Sequence, residues 1–473
     1  MHSKQYDCVI IGAGMSGLAA GIRLAMFDKK VLILEKHSIS GGLNSYYRRG
    51  KRNFDVGLHA LTNFVSREDK GKPLNKLLKQ LRIPYDALSL CPQNFSIIQF
   101  PEQNLKFSND IQYFIEEISV KFPNEIDNFL KLLEYIKNYN EVDLNLKFQL
   151  AKPVVRSFIK NEYLVEMIFC PLLIYGSAWE NDMDFSQFVI MFKSIFLEGF
   201  SRPSGGVRTI INLLLEKFNS LGGELKFNSK VTKILSSENT ISGVIVDDEY
   251  EINCDKILSS MGLPETYACV FENKNLNEAS IDKIGKLSFT ETILITDKKP
   301  SQFNIDATII FHNNSSVYNY QKPNQLIDNS SAVICFPDNF KTSLPENENE
   351  GIIRLTNMAN FDLWKNAYLQ TDKSHYKKLK NDVYEESLKI LNRIGIESQF
   401  EVLFKDVFTP TTIERYTGHF QGTVYGSIEK SRMGTTPING LYICGTDQGF
   451  LGIVGSMLSG ISMANLHVLS GTL

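Results

Sequence analysis

The stretch VIIGAGMSG, residues 9–17, constrains the fold more than any other part of the chain. An apolar run ends in G-x-G-x-x-G at Gly12, Gly14 and Gly17; SGLAAGIRLAMF then has helical character, and the next apolar run, KKVLILEK, reaches an acid at Glu35. Strand, tight turn, helix and a second strand closing on an acid form the βαβ unit that binds dinucleotides. In that unit Gly12 permits the turn, Gly14 lets a pyrophosphate approach the backbone, and Gly17 brings helix against strand. The helix N-terminus offers unpaired N–H groups to the phosphates, and Glu35 can accept hydrogen bonds from a ribose diol.

Two later stretches have the same α/β character. Residues 203–262 carry a helix, TIINLLLEKFNSLG, ended by Gly222 and Gly223, and then strands GELKFNS, VTKIL, ISGVIVDD and KILSSMG. Residues 437–473 run from strand GLYICG through a glycine-bearing loop into a long apolar helix, VGSMLSGISMANLHVL. Between the first two lie helical periods, NDIQYFIEEISVKF and NEIDNFLKLLEYIKNY, and between the second and third lie strand-like runs, FTETILITD, ATIIFH, SAVICF and GIIRLT, with a polar turn at LPENENEG. The expected fold class is α/β: a discontinuous Rossmann-like nucleotide domain from 1–85, 200–290 and 410–473, with an inserted α+β substrate domain from 86–199 and 291–409. The inserted domain should combine a mixed sheet with a helical part that is a candidate for facing a membrane surface.

Composition narrows the partners. With 473 residues, 43% hydrophobic, and net charge −3, the chain is long enough for two or three domains and has no charge bias toward nucleic acid. Seven scattered cysteines with no metal-ligand spacing point to reduced thiols and no metal site. The N-terminal MHSKQYDCVIIGAG enters a strand at once, leaving no room for a signal peptide, and no apolar run approaches the ~18–20 residues of a membrane span. The expectation is a cytoplasmic protein, membrane-associated at most at its surface.

The segment EKHSISGGLNSYYRRGKRNFDVG adds a second glycine pair, Gly41 and Gly42, then basic residues and F-D-x-G. Here the chain resembles the FAD-dependent amine-oxidase and phytoene-desaturase superfamily. INGLYICGTDQGFLGIVGSMLSG resembles that superfamily's closing flavin motif, and PSGGVRTIINLL and VFTPTTIERYTGHFQGTVYGS resemble segments of its phytoene desaturases. The resemblance implies FAD as cofactor, held by Gly12, Gly14, Met15, Ser16, Gly17, Glu35, Lys36, Gly41, Gly42, Leu43, Asn44, Val231, Gly445, Asp447, Gly455, Ser456 and Met457. Asp447 would contact the ribityl-pyrophosphate part, and the Gly455–Met457 turn would stabilise the electron-rich edge of the flavin ring through helix N–H groups. Leu43 departs from the arginine that many members carry, leaving its phosphate contact absent or supplied by Arg48, Arg49 or Arg52. His59, in FDVGLHALTNF, tilts the resemblance toward retinol-saturase-like and carotenoid-isomerase-like members.

No second G-x-G-x-x-G follows a strand, so a separate nicotinamide domain is not expected and the electron donor or acceptor stays open among substrate, oxygen, quinone and a cofactor entering the same cleft. Hydride exchange with a flavin needs placement in a dry pocket more than a reactive side chain. Making or reducing a C=C bond still needs a proton handled, and His59, Tyr416 and His419 are the candidate catalytic residues, with His59 read first as a structural or flavin-positioning histidine and then as a proton carrier. Arg202 and Glu198 flank the domain crossing as weaker candidates for substrate contact. DFSQFVIMFKSIFLEGF reads as a core helix or as the lining of a lipid tunnel. The implied function is FAD-dependent desaturation, saturation or isomerisation of a hydrophobic polyene, isoprenoid or acyl chain. The alternatives are a flavin amine oxidase and a non-catalytic flavin or lipid carrier.

Overall fold

The computed structural model describes residues 5–57, 59–143, 146–270, 278, 281–341 and 349–470, with the side chain of Glu397 excepted. Leu58 and most of the LPENENEG turn lie outside them.

A parallel sheet is built from Leu441–Ile443, Ile257–Ser259, Cys8–Ile11, Val31–Leu34 and Glu224–Lys226, in that spatial order. Every residue of Cys8–Ile11 and Val31–Leu34 is buried, which is why both read as unbroken apolar runs: Cys8, Ile10, Val31 and Ile33 face helices, while Val9, Ile11, Leu32 and Leu34 face a three-stranded antiparallel sheet of Val231–Ser237, Thr240–Val246 and Tyr250–Asn253. From Cys8–Ile11 the chain moves outward through Val31–Leu34 to Glu224–Lys226, then returns to the opposite side for Ile257–Ser259. The strand order therefore reverses beside Cys8–Ile11, and the crevice at the carboxyl ends of strands at such a reversal is where open α/β sheets hold ligands. Gly12 sits at that point, at φ 97°, where a Cβ would come within 2.5 Å of Ser260 Oγ.

A second, seven-stranded sheet has the order Val402–Phe408, Ser288–Thr296, Gly351–Ala359, Ser331–Cys335, Ile309–Asn313, Ser96–Gln99, Asn104–Phe107, parallel only between Ile309–Asn313 and Ser96–Gln99. The four apolar runs read as strands between residues 288 and 359 all belong to it. Ser288–Thr296 lies wholly within it, so residues 288–290 pair with this sheet instead of the nucleotide segment expected to extend to 290. A residue's neighbours on one face follow from the pleat. Leu294, Ile310, Ile334, Ile353 and Leu355 pack with Ile390 and Leu391 of the helix Lys373–Arg393. Ile98, Phe107, Phe311, Val333 and Met358 face the helical layer of residues 111–198.

That layer settles the reading of DFSQFVIMFKSIFLEGF. Phe185–Phe192 is α-helical and Lys193–Glu198 continues as a π-helix, and Phe185, Phe188, Phe192, Phe196 and Phe200 are each at most 1% exposed. Phe196 stacks on Phe114 at 4.6 Å and meets Phe107 at 5.0 Å, so the phenylalanines fill the space between helices and sheet. The final helix corrects the expectation that no apolar run is long enough to span a membrane: Gly452–Leu469 is 18 residues long and apolar enough. It packs against the helix Met15–Ala25, where a Cβ on Gly460 would lie 2.0 Å from Ser16 O, and 56% of it is buried.

His312 gives this sheet a pH signature. Its Nδ1 lies 2.9 Å from Gln99 Oε1, its Nε2 is buried with no partner, and burial with nearby Arg393 lowers its pKa to about 4. The folded state thus favours the neutral ring, and this contribution is complete above the unfolded value near 6.5 and is lost as pH falls toward about 4. Between pH 7 and pH 5 the wild type should lose about 2 kcal/mol more stability than His312→Gln. Urea midpoints at the two pH values test this, and equal losses in both proteins would refute it.

Candidate active site

The glycine loop is shaped as the sequence requires. A Cβ on Gly17 would sit 2.0 Å from Gly12 O and 3.3 Å from Ile10 Cγ2, whereas one on Gly14 would meet nothing within 4 Å. Gly17 is therefore packed and Gly14 opens onto space. The helix that begins with Met15, Ser16 and Gly17 has no side-chain cap and no acid in its first turn, leaving its N–H groups to a ligand. Gly41, at φ 118°, donates from N to Ala13 O at 2.9 Å, and a Cβ on Gly42 would lie 3.6 Å from the α-carbon of Gly14. Leu43 and Asn44 complete a single 3₁₀ turn, and Leu43 O lies 2.4 Å from where a Cβ on Gly57 would be, which fixes glycine in F-D-x-G.

Glu35 is 7% exposed and accepts from Ala13 N at 2.8 Å and His37 N at 2.9 Å. It braces the glycine loop as well as ending its strand. Val231 is buried opposite Val246, just beyond Ser229, whose N donates to Glu35 O at 2.9 Å. Lys36 reaches Arg415 O at 3.4 Å, and burial lowers its pKa. Tyr416, 52% exposed, packs its ring 5.3 Å from His37. The three arginines offered in place of the missing one turn elsewhere: Arg48 to Gly50 O, Arg49 toward Asp406, Arg52 onto Glu350 at 2.6 Å.

At the other end, Gly445, at φ 87°, donates to Ser459 Oγ at 2.8 Å. Asp447 is 1% exposed, and its oxygens accept from Leu263 N at 2.7 Å and Ser427 N at 2.8 Å, with Lys430 Nζ at 3.4 Å. It ties three segments together, so any ribityl contact would share oxygens already engaged. Gly455, Ser456 and Met457 lie in the first half of Gly452–Met463, whose N-terminus also has neither side-chain cap nor acid. Two uncapped helix N-termini, the open space over Gly14, and the buried, unpartnered Ser40 Oγ beside Gly41 and Gln448 Oε1 beside the closing loop fit a long ligand with a phosphate middle and a polar ring edge.

His59 belongs to a buried polar network on the apolar face of the seven-stranded sheet. Its Nε2 lies 2.9 Å from Glu291 Oε1 and 2.9 Å from Thr356 Oγ1. Arg354 grips the same carboxylate, Nε to Oε1 at 2.8 Å and Nη2 to Oε2 at 2.7 Å, and donates to Asp55 O at 3.2 Å. Burial pushes the Glu291 carboxyl up, but Arg354 and His59 outweigh it and hold the pKa at about 2. Burial lowers the His59 pKa against the opposing pull of Glu291. Tyr175 has its ring 6.3 Å from that of His59 and its OH buried without a partner. Asp55 pairs with Arg202, and Glu198 accepts from Asn63 Nδ2 at 2.8 Å, so both residues at the domain crossing serve the FDVGLHALTNF segment directly.

His419 is 7% exposed, with Nδ1 2.9 Å from Thr423 O, and it counters the upward push of burial on Glu265. Among the described residues no contact joins Tyr416 or His419 to His59. Glu291, Arg354, Thr356 and Tyr175 escaped sequence reasoning, although a lone Glu in FTETILIT and a lone Arg in GIIRLT were visible as charges inside apolar strands.

A cavity of about 510 Å³ opens between the helical layer and the closing loop, lined by Phe148, Trp179, Met183, Ile190, Ile428 and Phe450 among others. Phe148 and Trp179 stack at 4.9 Å on its wall. Ser186, Gln187 and Ile190 turn the outer face of the Phe185–Phe192 helix into it, while the phenylalanines point into the core. Three of its acids are already paired: Glu141 with Lys193 at 2.7 Å, Asp184 with Arg432 at 2.7 Å, Glu429 with Lys283 at 2.9 Å.

The family profile described as flavin containing amine oxidoreductase matches residues 15–466. The chain is 25% identical to a chloroplastic prolycopene isomerase of Daucus carota over 98% of its own length and 80% of the relative's. It is 22% identical to an all-trans-retinol 13,14-reductase of Danio rerio over 98% and 87%. Among solved structures, an oxidoreductase from Methanosarcina mazei superposes with TM-score 0.67 at 18% identity, covering 97% of this chain and 99% of that one.

Proposed function

Because the chain belongs to the family of flavin-containing amine oxidoreductases and is an FAD-dependent oxidoreductase, we propose that it acts on carbon–carbon bonds of a hydrophobic polyene or related isoprenoid chain. The observation that carries this is the cavity walled by Phe148, Trp179, Met183 and Ile190 and closed by the loop Gln448–Phe450 that leads into the Gly452–Met463 helix. Such a lining holds a flexible apolar chain by burial and excludes water from it. Three of its four lining acids, Glu141, Asp184 and Glu429, are already ion-paired within the protein, which leaves less acid for an ammonium group and favours a polyene over an amine. The names of the Daucus carota and Danio rerio relatives point to the same substrate class.

Gly12, Gly14, Gly41, Gly42 and the N-terminus of Met15–Ala25 would hold the FAD pyrophosphate, Glu35 its ribose side, and the N-terminus of Gly452–Met463 the ring edge. Bound there, FAD would supply two-electron redox chemistry. The chain's own residues would position the polyene and exclude water, and His59, on the sheet face outside the cavity lining, is the residue that would hold a proton. The ordered apolar walls of the cavity serve desaturation, saturation and isomerisation alike, since each begins by fixing one bond of the polyene in place.

Anaerobic mixing with all-trans-retinol or a lycopene isomer should bleach the oxidised flavin, reoxidise a dithionite-reduced sample, or convert the isomer. A response to putrescine or benzylamine with none to polyenes would replace this reading with the amine oxidase. His59→Ala should keep its flavin and lose activity by about 10²-fold, the usual scale of general acid–base catalysis; full activity would remove His59 from the chemistry.

A further inference from the structure

A buried Glu–Arg pair is costly on a sheet face otherwise lined by Ile98, Phe107, Phe311, Val333 and Met358. Arg354 is 2% exposed and Glu291 9%; beyond each other, Glu291 meets His59 and Arg354 donates to the backbone oxygen of Asp55. We propose that Glu291, gripped by Arg354, is a positioning residue that keeps the hydrogen of neutral His59 on Nε2 and leaves Nδ1 as the working nitrogen of the site.

The geometry carries this in two steps. Both Glu291 oxygens accept from Arg354, so the carboxylate is ionised and can only accept. At 2.9 Å an unprotonated Nε2 would set lone pair against lone pair, so Nε2 bears the hydrogen and Thr356 Oγ1 is a second acceptor. Nδ1 then has no protein partner among the described residues and is the nitrogen left to take up or release a proton. When it does, the imidazolium faces the Glu291 carboxylate, which offsets Arg354 and Arg202; Tyr175 and Cys335 are the remaining titratable neighbours. The functional use of Nδ1 rests on the polyene reading above, but the tautomer does not.

The test is a two-bond ¹H–¹⁵N correlation on the FAD-loaded protein labelled with ¹⁵N-histidine, with His59 assigned by its loss in His59→Ala. At pH 7.5 the His59 pattern should be that of hydrogen on Nε2, and hydrogen on Nδ1 overturns the proposal without any further variant. Glu291→Gln keeps the volume but not the charge, and should move the titration of His59 to lower pH, whereas Thr356→Val should leave the tautomer in place. An unchanged or higher midpoint in Glu291→Gln, or a tautomer switch in Thr356→Val, would also overturn it. Full activity of His59→Ala alongside the expected tautomer would instead strike at the proton-handling role alone.

Discussion

Arg354→Met is expected to cost about 3–5 kcal/mol of stability at neutral pH, the scale for removing one partner of a buried ion pair. Met fills most of the volume and suits the Phe311 and Met358 surroundings, so the loss comes from charge, not from a cavity. Glu291 would be left ionised beneath the helical layer with His59 as its nearest counter-group, and its carboxyl, now held at about 2, would rise. Two measurements separate this from ordinary damage. The deficit against wild type should shrink as pH falls through the new carboxyl range, because the protonated acid no longer needs the guanidinium. The double variant Arg354→Met/Glu291→Leu should recover most of the stability. A double variant as unstable as the single one would show that the pair does more than neutralise itself.

Gly17→Ala and Gly14→Ala should part company although they stand three residues apart. The added methyl of Gly17→Ala would lie 2.0 Å from Gly12 O, a backbone atom that can withdraw only by opening the turn, so helix and strand must separate. We expect a loss above the usual ~1–3 kcal/mol of overpacking, with little flavin retained at any temperature. Gly14 has φ −75° and an empty surrounding, so alanine fits there without strain. Its apo form should unfold within about 0.5 kcal/mol of wild type, as neutral substitutions do, while FAD affinity falls at least about tenfold, or ~1.4 kcal/mol. Thermal unfolding of apo and FAD-loaded samples, with flavin absorbance, measures both. A Gly14→Ala protein that unfolds, or a Gly17→Ala protein that keeps its flavin, would reverse the assignment of packing to one glycine and phosphate room to the other.

What could be read without coordinates follows from how local each constraint is. Gly12, Gly14, Gly17 and Glu35 act within one βαβ unit, so spacing alone carries their geometry. The strands FTETILITD and GIIRLT are equally local as strands. Their pairing is not: Glu291 meets Thr356, and Ile293 meets Arg354, only through an antiparallel register between segments separated in the chain by two further strands and their connections. No period in either segment announces that register, so the partners of His59 stayed hidden while His59 itself did not. Tyr416 shows the reverse case. Its motif was legible, but a motif has no direction, and the fold turns the ring toward His37 at the Glu35 edge.

The parallel sheet also imposes an order in time. Cys8–Ile11 leaves a ribosome well before its neighbour on one side, Ile257–Ser259, and before the outermost strand beyond that, Leu441–Ile443. At about 5–20 residues per second, the strand that carries the glycine loop waits roughly 20–90 s for the sheet to be completed. During that wait an apolar strand has an open edge, and the helix Gly452–Met463, whose Gly460 closes over Ser16, does not yet exist. The cofactor site thus needs segments more than 400 residues apart: a truncation before Leu441, which removes Leu441–Ile443 and Gly452–Met463, should leave a protein that neither binds flavin nor stays in solution.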